Sequence, residues 1–229
     1  MMITATFDNA QLPAVKARPP EGAGAYWRPV PHADLLKTIK DRATARHWTV
    51  GEPVVSLSVD QADMAASVPV YPHRSALDLA ALGVVSSNAR RRRMKFYFGV
   101  LTEAGGGIIL DAFQPAPKGD SRSLWYRGII QDVDEALDWV DGFRSKVPGI
   151  VRTLQKQKRT ADEVEHLLMT TVRRGLVPGG RMMLIDRKLA DPITDWSLLQ
   201  AFSEVALLSP PLKTMDCVLG FRRLLEAKA

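Results

Sequence analysis

The sequence predicts an α+β fold: an N-terminal helix, a small antiparallel sheet of three to five strands, and a C-terminal helical layer. Three observations predict it. Between about residues 48 and 113 apolar residues recur with a period near 2, the spacing at which strand side chains share a face. From about residue 131 to 227 the period becomes about 3.6, the spacing of a helix face. The strands are bunched ahead of the helices and do not alternate with them, which argues for an antiparallel sheet and against βαβ repeats. The organisation that follows is a Pro-rich arm or loop over 1–31 and a single α+β domain over 32–229, sheet-rich at 48–113 and helical at 131–227. No internal repeat is visible.

The arm lacks periodic pattern and carries Pro13, Pro19, Pro20, Pro29 and Pro31, whose fixed φ and missing donor favour an extended path over the domain. A helix starts near His32, with Leu35, Leu36, Ile39 and Ala43 as its apolar face. Trp48–Val59 reads as one strand or a hairpin pair, because Val55, Leu57 and Val59 alternate with serines, and Pro53 marks a strand start or an edge. Residues 60–80 are ambiguous: Gln61–Ser67 has little strand propensity, and Pro69 and Pro72 interrupt any long element. Ala80–Val85 is a short strand.

The stretch from Leu82 to Phe113 organises the sheet. Two apolar runs, Met94–Leu101 and Ile108–Phe113, flank Thr102–Gly107, where Gly105, Gly106 and Gly107 tolerate the positive φ of a reversal, so a β-hairpin is expected. Alternation then places Met94, Phe96, Phe98 and Val100 on the core face and Lys95, Tyr97 and Gly99 on the other. Gln114–Tyr126 reads as a loop.

Beyond it, Val133, Ala136, Leu137, Val140 and Phe143 form a helical stripe, with Asp132, Asp134 and Glu135 expected in the first turn, where they would complement the helix dipole. Pro148-Gly149 is expected to break or kink this helix, with Ile150–Gln157 continuing. Thr160 and Glu163 have the spacing of a capping box for a helix with Val164, Leu167, Leu168 and Val172 inward, stopped at Gly175. Met182–Ile185 is a short ordered piece within a connector. Thr194 caps a helix with Trp196, Leu199, Phe202 and Val205, and a last helix runs from about Leu212.

Composition narrows the function classes. The 229 residues carry a formal net charge of +6, which suits a polyanionic partner without requiring one. The single cysteine, Cys217, rules out an intramolecular disulfide and a Cys-rich zinc site, and its apolar helical setting predicts a buried, inert thiol. No run approaches the ~18 apolar residues of a membrane span, and the N-terminus lacks the pattern of a secretory signal, so no membrane partner and a cytoplasmic location are expected.

Little chemistry is assembled in sequence. The glycines at 105–107 join strand to strand and are followed by no Lys-Ser or Lys-Thr, so they form no phosphate loop. His32, His47, His73 and His166 are isolated, without the i, i+4 pairing of a helical metal site. There is no Gly-x-Ser-x-Gly elbow, and Ser86, Ser87 and Ser121 have no recognisable base beside them. Asp111, in a strand, is the one candidate for a metal-dependent hydrolase or nuclease, which would need further carboxylates converging on it. No catalytic residue, cofactor or metal is assigned.

The charge map says more. From Ser86 to Gly128 eight Lys/Arg face three acids, and from Arg144 to Arg159 there are six basic residues and no acid, while 131–141 holds five acids and no base. If the basic blocks meet they would track a phosphate backbone. The candidate nucleic-acid contacts are Arg90, Arg91, Arg92, Arg93 and Lys95 to phosphates, Tyr97 as a stacking platform for a base, and Arg152, Lys156, Lys158 and Arg159 to a second stretch of backbone. The alternative is a solvated arginine run that discourages edge pairing, in a structural, partner-binding or homo-oligomeric protein.

Trp27-Arg28-Pro29-Val30-Pro31 leading into a helix, Leu82–Asn88 (LGVVSSN) with its following strand, and Thr194–Val205 (TDWSLLQAFSEV) together resemble the phage/plasmid-like family called domain of unknown function 932, over about Trp27 to Leu225. In the last motif Trp196, Leu198, Ala201, Phe202 and Glu204 match the family's Trp-x-Leu-x-Asn-Ala-x-Thr-Glu segment. The family usually has Asn-Ser-His-Asp after its Gly, where this chain has Ser86-Ser87-Asn88-Ala89. Its Phe-Val-Cys-Asp-Asn strand is replaced by Phe96-Tyr97-Phe98-Gly99-Val100. The resemblance implies a mobile element in a bacterial host cell and supplies no reaction, cofactor or active site. The helix–strand–strand–strand–helix order also resembles Rad-fifty-two-like single-strand annealing proteins, an analogy of fold only. The reading is a mobile-element protein that binds nucleic acid, with single-stranded DNA in recombination or replication as the leading partner.

Overall fold

The structure is a computed structural model that describes residues 4–7, 12–15, 29–71, 80–88, 93–101, 107–115, 125–209 and 211–227. Its strands are β1 (Thr4–Phe7), β2 (Thr49–Val50), β3 (Val54–Ser58), β4 (Asp63–Tyr71), β5 (Ala80–Ser87), β6 (Lys95–Leu101) and β7 (Gly107–Phe113). They form one sheet in the order β1-β3-β4-β5-β6-β7, and β2 pairs with β4 beyond the end of β3. The pairs β1–β3, β2–β4, β3–β4 and β4–β5 are antiparallel. The helices are α1 (His32–Ala45), α2 (Trp125–Arg144), α3 (Val147–Lys156), α4 (Ala161–Arg173), α5 (Met182–Asp186), α6 (Asp195–Ala206) and α7 (Pro211–Glu226). The α+β class expected from the change of period is what the chain adopts.

The sheet is larger than the three to five strands expected, for two reasons. Gln61–Ser67, weak in strand propensity, contributes most of β4, which has neighbours on both sides: Val54–Leu57 pair with Met64–Ser67 and Asp63–Val70 pair with Ala80–Ser87. Pairing and the burial of Met64, Ala65 and Ala66 override local propensity there. Pro69 fits because its carbonyl accepts from the N–H of Gly51, on the β2/β3 side, where its missing donor faces the gap between those strands. Gly51 suits that close approach, since a Cβ there would lie 3.0 Å from Pro69 Cβ, a tight contact to which the proline would have to yield. The second addition is β1, inside the Pro-rich arm, which lies along β3 from Thr4 opposite Ser58 to Phe7 opposite Val55.

The chain divides into two compact units, residues 1–99 with 112–142, and 100–111 with 143–229. In the first unit α1 buries Leu35, Leu36, Ile39 and Ala43, as its spacing predicts. The expected loop up to Tyr126 is shorter than read, because α2 already begins at Trp125. Asp132, Asp134 and Glu135 therefore lie beyond its first turn and do not serve the helix dipole as expected. The hairpin reversal at 102–106 lies outside the described residues.

In the second unit Pro148 does not interrupt a helix. It sits in the opening turn of α3, where a missing N–H costs nothing, and the break falls at Ser145-Lys146. The capping box at Thr160 and Glu163 forms in full, and Gly175 stops the chain after α4 with φ +66°. Thr194 caps α6 reciprocally with Ser197. Phe202 of α6 and Phe221 of α7 stack with ring centroids 4.2 Å apart, fixing one helix on the other.

Candidate nucleic-acid interface

The two basic blocks belong to different units. In the first unit, Arg90, Arg91 and Arg92 lie outside the described residues, Arg93 is exposed and Lys95 is half-buried. Tyr97 is only 1% exposed, which corrects the expectation of a stacking platform. Its phenol faces no open groove: Phe96, Tyr97 and Phe98 are all buried, so both faces of β6 are covered and the strand reads as a continuous apolar run. On the Phe98 side the cover is aromatic. Trp139 of α2 meets Phe98 edge-on at 6.4 Å and stacks on Phe113 at 5.8 Å. On the Tyr97 side the Lys95 ammonium lies 4.8 Å from the ring centroid, a cation–π contact.

The second block is concentrated on α3. Val147 and Leu154 turn inward, leaving Gly149, Arg152, Thr153 and Lys156 exposed at i, i+3, i+4 and i+7, one face of a helix about 15 Å long. Lys146 before the helix and Lys158 after it are also exposed. Among the described residues, Lys146, Arg152, Lys156 and Lys158 make no ion pair. No carboxylate occurs in sequence between Phe143 and Ala161.

Arg159 corrects the expectation that it too contacts phosphate. Its Nε donates to Asp195 Oδ1 at 2.6 Å and its Nη2 to Asp195 Oδ2 at 2.8 Å, a bidentate pair in which Arg159 is 9% and Asp195 0% exposed. The hydrogen bonds it donates to Asp195 raise the guanidinium's pKa further. The backbone holds the same junction: the Arg159 N–H donates to Ile193 O at 2.9 Å, the Asp195 N–H donates to Gln157 O at 3.0 Å, and Lys158 lies opposite Thr194. No local sequence signal reveals this pairing, because the carboxylate is 36 residues away.

Two further polar clusters lie in the first unit. Arg42 of α1 and Arg46, the residue that follows the helix, both donate to Asp134 of α2, and Arg46 also reaches Asp138 at 2.7 Å. Burial alone would raise Asp134, but the hydrogen bonds of the two arginines hold it below the usual carboxylate range. At the other end of α1, His32 is buried and its Nε2 lies 3.2 Å from the carbonyl oxygen of Gln61. A carbonyl only accepts, so Nε2 carries the proton and Nδ1 is left as a buried acceptor without a partner. Burial lowers the His32 pKa against the smaller opposing effect of that hydrogen bond. Beside it the buried Asp63 accepts a hydrogen bond from Ser87, so Ser87 has a carboxylate partner that sequence reading missed. The imidazole does not bridge them, so no Ser-His-Asp relay is formed.

Asp111 is half-buried in β7, and among the described residues no three His, Cys, Asp or Glu side chains gather to hold a metal ion. Cys217 is buried, and burial pushes its thiol up. No described helix is long and apolar enough to cross a membrane. Comparison with protein-family models, with curated proteins and with solved structures finds no match to this chain.

Proposed function

We propose that this protein binds nucleic acid for a mobile element, a phage, prophage or plasmid, with single-stranded DNA in recombination or replication as the leading substrate. The observation that carries the reading is α3 with its flanks: Lys146, Arg152, Lys156 and Lys158 are exposed, without ion pairs among the described residues, and lie in a stretch free of carboxylates. Such a surface suits phosphate oxygens. Arg93 and Lys95 are further contacts, and Arg90, Arg91 and Arg92 join them on sequence grounds. Tyr97 and Arg159 are withdrawn from the contact set. The mobile-element setting rests on the motifs shared with the domain of unknown function 932 family. In this chain Leu198, Ala201 and Phe202 of that motif are core residues of α6, so the likeness there is one of packing.

Filter binding of a labelled single strand tests this. Contact by the four cations of α3 and its flanks alone predicts a log–log salt slope of about −3, at ~0.7 per neutralised phosphate of a single strand, and contacts from the Arg90–Lys95 segment steepen it. Absence of binding at low salt would sink it. A second reading, a partner-binding or self-associating protein, is favoured by exposed Met183 and Leu184 on α5 and Leu207 and Leu208 after α6. These segments are tied together by Arg181, which donates to Ser209 Oγ at 2.6 Å and to Leu208 O at 2.9 Å. A sizing column at rising protein concentration tests self-association.

A further inference from the structure

We infer that Trp196 is the base-stacking residue of this protein, seated beside the lysines that hold the strand by its phosphates; the inference rests on the nucleic-acid reading above. With Tyr97 enclosed, a single-strand site needs another aromatic ring next to exposed cations. Trp196 meets that condition. It is the second residue of α6 and is partly exposed, whereas Asp195, Leu198, Leu199 and Phe202 around it on the same helix are buried.

Its place beside the basic segment is fixed by backbone. Lys158 lies opposite Thr194, and the hydrogen bonds Arg159 N–H to Ile193 O and Asp195 N–H to Gln157 O clamp the end of the basic segment to the residues just before Trp196. The buried Arg159–Asp195 pair locks the clamp from inside. The opening turn of α6 therefore sits next to Lys156 and Lys158, both exposed. The charges around this junction define a direction. Exposed Asp162 and Glu163 open α4, so phosphates are repelled from that side, whereas the connector before α6 carries exposed Arg187 and Lys188 together with exposed Asp191. The path away from α4 crosses α3 and the opening turn of α6. There the lysines engage backbone, and an indole can take the face of any base without reading its identity.

The test compares an oligothymidylate with an abasic oligomer of equal length, by fluorescence anisotropy on the full chain. The wild-type protein is expected to bind the oligothymidylate about 10-fold more tightly, the scale of one stacked base. Trp196→Leu should remove that preference, and Lys156→Ala with Lys158→Ala should weaken binding of both oligomers. A preference that survives Trp196→Leu overturns the inference, as does equal affinity of the wild type for the two oligomers. Failure of the wild type to bind either overturns the nucleic-acid reading itself. If Trp196→Leu does not fold, Trp196→Phe decides. It should bind the oligothymidylate but lose most of the tryptophan quenching that the wild type shows on binding, and unchanged quenching overturns the inference.

Discussion

Arg42 and Arg46 in the first unit and Arg152 and Lys156 in the second carry the same charge in opposite settings. The first pair faces Asp134 and Asp138 from a helix 88 to 92 residues further along the chain. The second pair lies on an exposed helix face with no acid in its own stretch of sequence. Arg159 is the instructive intermediate. It stands in the same acid-free run as Arg152, yet it behaves like Arg46, because Asp195 reaches it through a backbone clamp. Local charge density therefore predicts which segments are basic. Which cations remain available to a partner is decided by carboxylates far away in sequence.

The largest expected effect breaks the pairing of Arg159. Asp195→Ala leaves a guanidinium that is 9% exposed with only the more distant Glu163 carboxylate, 3.9 Å away, as counter-ion, and should cost about 3 kcal/mol of stability in urea unfolding. A loss below about 1 kcal/mol would mean that Arg159 is effectively solvated, and the distinction drawn between it and Arg152 would fail. Next in size is the removal of free charge. Arg152→Ala, Lys156→Ala and Lys158→Ala together should lower single-strand affinity about 100-fold at low salt and flatten the salt slope by about 2, with stability nearly unchanged. An unaltered slope would show that these cations do not meet phosphate.

Much of the fold was legible because it depends on signals local in sequence. The period-3.6 stripes of α1, α4 and α6 and the caps at Thr160 and Thr194 involve residues within a few positions of one another. β4 was not legible, since Asp63–Ser67 is strand only because β3 and β5 flank it. Tyr97 was misread for a related reason. Strand alternation tells which residues share a face, and burial of the second face depends on elements elsewhere in the chain. Of the candidate contacts, Arg152 and Lys156 are exposed on the polar face of α3, and Lys158 is exposed just after the helix. Arg159 was lost to a partner 36 residues away. Trp196 stood in view inside a family motif, but its exposure beside Lys158 depends on the bridge between Lys158 and Thr194, which sequence does not announce.

His32 extends the comparison to a group that titrates. Because its folded-state pKa lies below the ordinary 6.5, the unfolded chain binds the proton more readily, and stability falls as pH drops below that value. Above it both states are neutral and the group adds no pH dependence. Unfolding free energies from urea titrations between pH 7 and 5, roughly the histidine range, should therefore fall with a slope bounded by one proton, about 1.4 kcal/mol per pH unit. His32→Gln should flatten this part of the profile, and a profile that does not change would place the titrating group elsewhere.

The smallest expected effect sharpens the contrast between the two arginine settings. Asp134 is 23% exposed and its partners Arg42 and Arg46 are 42% and 24% exposed, so water screens their attraction and can solvate the arginines when the carboxylate is removed. Asp134→Ala should therefore cost only about 1 kcal/mol, several-fold less than Asp195→Ala, although it removes contacts to two arginines instead of one. The loss should shrink further in ~1 M salt, where the screening length is about 3 Å, whereas the cost of Asp195→Ala should persist because salt does not enter a buried pair. Equal losses for the two variants, or equal salt sensitivity, would show that burial does not separate these arginines. Different responses would make burial of the carboxylate partner, and not the number of ion pairs, the property that distinguishes a structural arginine from one a polyanion can reach.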